Sequence, residues 1–489
     1  MTAAFCLLAS AAASALPALA AEPTTQVPTY HDRPDRSGNF VVPRLTWARA
    51  RSLRLDTGFN PRFGGNLYAQ PLYWLAPGAA SGMLIVATES DTVHAIDASS
   101  GATLWSRSLG TPAPLASLPC GNIDPLGITG TPVIDPKSQA VFLDAVIDDQ
   151  AGMHHQVWGL SLKDGATLPG WPVDVAAAVG GFEALYQNQR GALTIEDGRV
   201  YVPYGGHFGD CGPYHGWVVG IGLGNPSDIL HWETRAEGGG IWAPGGISSN
   251  GHSLFLATGN TLGASRWSDG EAVFRLSPSL ADTQNPDDFF AAADWRLLDR
   301  RDLDIGGSNP LPLDPLLAGG GTQPLLLALG KDGRAFLLDR RNLGGIGGGL
   351  VAARVAARPI ITAPAAYPSP NGVLVAFAGH GTACPAGGDN SLLALDIRAG
   401  SLPTMRTAWC AAFDGWGSPI VTTTDGGADP IVWVLGAEGD NRLYGFRGDT
   451  GARLFASAPV SGLRHFQTLI AAGGRLYVGA DGRLYAFSF

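Results

Sequence analysis

The sequence predicts an all-β protein, an eight-bladed β-propeller of four-stranded antiparallel blades closed by an N-terminal strand in the last blade. Three observations predict it. Eight segments share one pattern, an apolar strand ending small-apolar-X before a turn. Most are preceded by a second β-rich run. The last copy stops at Phe489, directly after its third strand, while an unpaired segment precedes the first copy.

The eight copies are VHAID to Asp97, VWGLS to Ser161, VVGIG to Gly222, VFRLS to Ser277, AFLLD to Asp339, LLALD to Asp396, LYGFR to Arg447 and LYAFS to Ser488, spaced 41 to 64 residues apart. The run before each supplies a second strand, as in LIVATES, VYVPYGG, LFLATGN and RLYVGAD. Several copies lead through a Gly turn to a strand ending in an aromatic, at Trp105 and Trp232. Four strands per repeat, arranged radially, make a propeller. Sheets that stack without closing expose open edges, so the ring must close. The segment PRLTWARARSLRLD from Pro43 can close it, with the stretch around Leu45 to Ala50 expected beside RLYAFSF.

Composition agrees. Glycine is abundant, at 68 residues, and only 15 % of the chain is charged, which suits short strands joined by tight turns. The net charge of −10 argues against nucleic acid or an anionic membrane surface as partner. Residues 1–21 form an apolar run without Lys or Arg, ending in small residues, and read as a secretory signal peptide cut near Ala20 or Ala21. Residues 22–42 are then an N-terminal extension and 43–489 the propeller. No other segment is apolar enough for a membrane span. The protein is expected to be periplasmic or secreted.

Removal of the signal removes Cys6 and leaves Cys120, Cys211, Cys384 and Cys410. Four cysteines in an exported chain fit two disulfides, for which sequence permits three connectivities. We expect Cys384–Cys410, within the sixth repeat, and Cys120–Cys211. There is no CxxC or CxxCH motif for a zinc ribbon or a covalent haem.

Strand order sorts the loops by face. Loops after second strands, and those leading into the next blade, lie on one face. The unusual polar residues collect there: Glu89, His207, Asp210, Asn260, Lys331, His380, Glu438 and Asp440 after second strands, and Asn122, Arg190, Trp242, Asp302, Asp304 and Trp416 between blades. The opposite face has plain turns such as SSGA, KDGA and GDTG. The site is therefore expected on the first face.

The run LIVATESDTVHAIDASSGATLW is similar to the repeat of pyrroloquinoline-quinone-binding propellers, which include bacterial quinoprotein alcohol dehydrogenases. GITGTPVID from Gly127 and NQRGALTIEDGRVYVPYGGHFGDCGPYHGWVVGI from Asn188 resemble a secreted branch related to polyvinyl alcohol dehydrogenase. Scaffold propellers of the outer-membrane assembly machinery carry the same repeat, so fold and activity are separate questions.

The resemblance implies roles for particular residues. GGIWAPGG places Trp242 at the family's tryptophan under the flat quinone, a ring suited to stacking. LFLATGN places Asn260 at a calcium ligand. DLDIGGSN resembles W-D-Y-x-G-x-N, which puts Asp304 at the catalytic aspartate and beside the metal. LALGKDG puts Lys331 where the alcohol dehydrogenases have Arg beside the quinone carbonyl. Arg190 and Lys331, with the hydroxyls of Thr129 and Thr131, are the groups for the cofactor's carboxylates. The chain departs from the family in two ways. It has no adjacent cysteine pair, and the glutamate calcium ligand of the third blade is absent, with Asp210 the nearest carboxylate. Each residue also has a plainer reading: blade packing for Trp242, turn positions for Asn260, Asp304 and Lys331.

The function expected is an exported dehydrogenase using pyrroloquinoline quinone (PQQ) and Ca2+ to oxidise an alcohol or sugar hydroxyl, passing electrons to a separate acceptor. The alternative is a non-catalytic propeller that binds a protein or glycan on its polar face. An open cavity between Trp242 and Asp304 favours the first, a plugged funnel the second.

Overall fold

A computed structural model describes residues 21–489 except 282–283, 386 and 388–389. The secretory signal expected over residues 1–21 lies, Ala21 aside, outside them. Eight separate sheets account for the blades. Blade 1 is typical, with strands Leu72–Trp74, Met83–Thr88, Thr92–Asp97 and Thr103–Ser108 paired antiparallel in chain order. The innermost strand is wholly buried and the outermost almost wholly exposed. The turn after its third strand shows why the chain reverses there. The Asp97 carboxylate accepts from the Ser99 and Ser100 amides at 3.0 and 2.8 Å, and Gly101 adopts φ +78°. Every repeated segment is the third strand of its blade.

Blades adhere through apolar faces. Distinct buried clusters fill the seams between blades 1 and 2, 2 and 3, 3 and 4, 4 and 5, 5 and 6, and 6 and 7. One larger cluster spans blades 7, 8 and 1 across the closure. The last blade, Leu469–Ala472, Arg475–Ala480 and Arg483–Ser488, takes its outermost strand from the N-terminal part of the chain, as expected.

The position of that closing strand differs from expectation. Arg54–Leu55 pairs with Ser488 and Phe487, whereas Trp47–Ala50 is a short helix. Thr46 caps this helix through its hydroxyl, accepting from the Arg49 amide at 3.3 Å. Trp-Ala-Arg-Ala has good helix formers, and Leu45 and Ala50 are buried in the closure core, so this stretch spends its apolar side chains on packing.

Residues 22–42 are part of the ring's interior. Val27 bridges Tyr73 of blade 1, the Pro28 carbonyl accepts from Ile134 of blade 2, and the Pro34 carbonyl from Ser249 of blade 4. Asn39–Val41 runs parallel to the inner strand of blade 7. Arg36 is fully buried, donating to the carbonyls of Tyr30, Leu193 and Ile247 and to the Thr29 hydroxyl. The segment fills the centre of the ring. No helix among the described residues is long and apolar enough to cross a membrane. Both expected disulfides are present, Cys120–Cys211 with Cα atoms 6.1 Å apart and Cys384–Cys410 with 5.6 Å.

Candidate functional site

Most of the candidate site residues meet in one open cavity of about 390 Å3, within the usual range for small-molecule sites. Connections between blades bring in Asn122, Asn188, Arg190, Trp242, Asp302, Asp304, Ile361, His465 and Phe466. Loops after second strands bring in His207, Asp210, Asn260 and Lys331. The disulfide from Cys120 to Cys211 ties the loop holding His207 to Asp210 across to blade 2's entry loop.

Asp304 is at the centre of one wall. The helix Trp295–Arg301 ends at Asp302, which takes the left-handed conformation (φ +51°) and turns the chain inward. Two residues later the Asp304 carboxylate is buried. It accepts from Trp242 Nε1 at 3.0 Å, from the Asn260 amide at 3.1 Å and from Lys331 Nζ at 3.0 Å. Lys331 also reaches Asp302 at 2.5 Å and stands 5.2 Å from the centre of the Trp242 ring. Burial pushes the Asp304 carboxyl up from its ordinary value, opposed by the Lys331 ammonium. Burial acts to lower the Lys331 pKa, but Asp304 and Asp302 outweigh it, so the amine stays charged. Beneath them Glu271 is buried, its pKa pushed well up by burial and by Asp304, with one oxygen accepting from the Ile305 amide at 2.9 Å.

The indole of Trp242 lies against backbone on this wall. A Cβ on Gly259 would come within 3.3 Å of its Nε1, and one on Gly307 within 3.2 Å of its six-membered ring. A larger residue at either position would press on the ring and move it by a few tenths of an ångström. The opposite wall holds Phe466, whose ring is 6.5 Å from that of Trp242, and Arg190, 5.5 Å over Phe466. The Arg190 guanidinium makes no hydrogen bond or ion pair with any described residue, and burial lowers its pKa. Asn188 Oδ1 is buried without a partner. His465 bonds through Nδ1 to Glu438 at 2.7 Å.

Six of the eight sequence-derived site residues thus line one cavity: Arg190, Asp210, Trp242, Asn260, Asp304 and Lys331. Thr129 and Thr131 do not line it. They border a much smaller void beneath Arg190 and Phe466, next to Tyr30 of the N-terminal segment. Thr131 Oγ1 already accepts from the Gln70 amide at 2.9 Å. Sequence reasoning missed His465, Phe466, Tyr214 and Asn188. The signal for the first two was available, since the loop into blade 8 is of the class that supplies Arg190, Trp242 and Asp304. A second cavity of about 500 Å3 on this face, lined by Arg358, His380, Asp414 and Trp416, contains none of those eight residues.

A flat anionic ring system fits the main cavity: an indole for stacking, a half-buried guanidinium without a partner among the described residues, and a second cation at Lys331. A calcium ion does not fit the donors as they stand. Asp304 already takes three N–H donors, one from an ammonium ion, and Asp210 accepts from the Tyr214 hydroxyl at 2.7 Å. No group of three His, Cys, Asp or Glu side chains suited to a metal occurs among the described residues. Asn260 meets Asp304 through its backbone amide. No step is therefore drawn through a metal.

Eight four-stranded sheets closed by an N-terminal strand define the chain as an eight-bladed β-propeller. Residues 54–207 match the profile of the family described as outer membrane protein assembly factor BamB. The chain is similar in structure to quinohemoprotein alcohol dehydrogenase from Comamonas testosteroni (TM-score 0.65, 16 % identity), covering 95 % of this chain and 81 % of that one. It is also similar to quinohemoprotein alcohol dehydrogenase ADHIIG from Pseudomonas putida HK5 (TM-score 0.68, 13 % identity, 95 % and 80 % covered). BamB from Moraxella catarrhalis is similar too (TM-score 0.51, 14 % identity, 89 % and 98 % covered). No curated protein sequence matches. At such identities the likeness is one of fold, shared by dehydrogenases and by an assembly factor.

Proposed function

We propose that the protein is an exported dehydrogenase that binds PQQ in the cavity between Trp242 and Arg190 and oxidises an alcohol or sugar hydroxyl to a carbonyl. The observation that carries this reading is the convergence of Trp242, Asp304 and Lys331 with an unpaired Arg190 in one open cavity. A half-buried guanidinium that faces the cavity and has no partner among the described residues is a ready site for a ligand carboxylate. The bound quinone supplies the hydride acceptor. Trp242 offers it a rigid stacking surface, and Arg190 pairs with ring carboxylates. Lys331 polarises a carbonyl oxygen through one compact charge. Asp304 takes the substrate's hydroxyl proton, and its burial makes it a stronger base than a solvated carboxylate. Lys331 keeps it ionised until then. Calcium, expected from the resemblance, has no role in this reading. Two disulfides and similarity to the dehydrogenases above support a periplasmic or secreted location, with electrons leaving to a separate acceptor.

The test is reconstitution of the purified protein with PQQ, with and without calcium, followed by dye-linked activity across primary alcohols, polyols and sugars. Turnover of any of these supports the reading. Quinone that binds without turnover of any hydroxyl compound leaves the non-catalytic propeller in its place.

A further inference from the structure

His465 stands in the same cavity as Arg190, and neither its sequence context nor the resemblance assigns it a role. Its Nδ1 is 2.7 Å from Glu438 Oε1, which fixes that nitrogen as the proton donor. Nε2 has no hydrogen-bond partner among the described residues, and the residue borders the cavity. The imidazole meets the Phe466 ring edge-on at 4.7 Å, and Arg190 lies over that same ring at 5.5 Å. Phe466 adopts φ +67°, a left-handed conformation that a bulky residue rarely takes. The cavity's far end therefore holds two groups around one aromatic ring, the guanidinium N–H donors of Arg190 and the open Nε2 of His465, which becomes a donor only when the imidazole takes up a proton.

The surrounding charges decide the state of that imidazole. Burial lowers its pKa, and the positive charges of Arg190 and Arg464 lower it further, while Glu438 raises it. Arg464 is already paired with Asp481 at 2.6 Å, and Tyr68 meets the imidazole ring at 5.5 Å without pairing. Asp210, Asp302, Asp304 and Lys331 belong to the other parts of the same cavity. With the cavity empty, His465 is neutral at pH 7. A carboxylate bound to Arg190 offsets the guanidinium field and gives Nε2 an acceptor, and both effects favour the imidazolium.

We propose that His465 is a second anion-binding residue of this cavity: held by Glu438, it takes up one proton as an aromatic polycarboxylate binds and donates Nε2–H to a ligand carboxylate beside Arg190. The inference rests on the reading of the cavity as a quinone site, and it adds that binding is proton-linked. One proton moves from solvent to Nε2, with no change of redox state. The ligand's carboxylates are ionised across neutral pH, so they contribute no proton of their own. Because the bound state holds the extra proton, affinity must fall as pH rises through the window between the free and bound imidazole values. The limiting slope is about tenfold per pH unit.

The test is isothermal titration of the full mature chain at pH 6 to 9 in buffers of different ionisation enthalpy. PQQ is one probe and benzene-1,3,5-tricarboxylate, which cannot accept hydride, is the other. The expected result is uptake of up to one proton per ligand and the stated fall in affinity. His465→Gln, with unchanged melting temperature, should still bind PQQ but without proton uptake and with a flat pH profile. Glu438→Gln should move the uptake to lower pH. PQQ binding with no buffer-dependent heat, or uptake retained in His465→Gln, overturns the inference while leaving the quinone site intact. Proton-linked binding of the tricarboxylate with no binding of PQQ upholds the anion site and removes the quinone reading. Binding of neither probe removes both.

Discussion

Asp304 is held by three donors, and that arrangement predicts how a conservative change behaves. Asp304→Asn keeps the size of the side chain and one acceptor oxygen but removes the proton acceptor. We predict a loss of turnover of about two to four orders of magnitude, with quinone affinity much less affected, measured by dye-linked assay and titration of the same preparation. A second residue-scale prediction concerns blade 1. Glu89 and Asp91 are fully buried with oxygens that lack partners. Burial pushes Glu89 up to about 7 and, with help from Glu89 and Asp144, Asp91 up to about 9. Both carboxyls are therefore protonated in the folded chain at pH values where the unfolded chain has lost those protons. The folded state binds more protons, so stability falls as pH rises, from about pH 4 to 7 through both groups and from 7 to 9 through Asp91. The slope is at most about 1.4 kcal/mol per pH unit per group. Asp91→Asn should flatten the decline of melting temperature between pH 6 and 9; an unchanged slope would show that the carboxyl is not protonated. Residue identities at the site were largely legible in the sequence, because Trp242, Asp304 and Lys331 lie in short motifs with fixed spacing. His465 was missed although its loop is of the class that supplies Arg190, because no motif marks it and only the fold sets it beside Arg190.

At the scale of elements, the repeat was legible because each third strand alternates apolar and small residues and ends in a turn. The closing strand was misplaced by a few residues because the segment from Pro43 has two apolar stretches, and sequence does not say which one packs and which one pairs. Leu45 and Ala50 pack, while Arg54–Leu55 pairs. Thr129 and Thr131 border a smaller void under Arg190 and not the main cavity, and Thr131 there serves the Gln70 amide. The loop from His207 to Asp210 is anchored by Cys120–Cys211, whereas Cys384–Cys410 lies within blade 6. Replacing both Cys120 and Cys211 by Ser should therefore weaken quinone binding and cost about 2–5 kcal/mol of stability. The matching change at Cys384 and Cys410 should cost stability with quinone affinity kept. Equal losses of affinity in the two variants would show that the anchored loop has no special relation to the site.

The whole molecule is a ring whose centre is filled by its own N-terminal segment. Arg36 satisfies three carbonyls from that segment, blade 3 and the entry to blade 4 without any carboxylate partner. It thereby links parts of the chain that are more than 150 residues apart in sequence. Arg36→Leu leaves those carbonyls buried and unpaired, and we predict a loss of about 2–4 kcal/mol in urea unfolding. A loss below about 1 kcal/mol would mean that the segment rests in the ring without holding it.

The central claim is that this face binds a planar quinone on Trp242. The most direct measurement is an equilibrium titration of the purified protein with PQQ, followed by quenching of indole fluorescence and by the quinone's own absorbance. The account predicts one quinone per chain, binding that withstands calcium chelation, and a loss of affinity of at least about tenfold in Trp242→Ala, consistent with the removal of one stacked aromatic surface. A parent protein that takes up no quinone, or a Trp242→Ala variant that binds it as tightly as the parent, would contradict it.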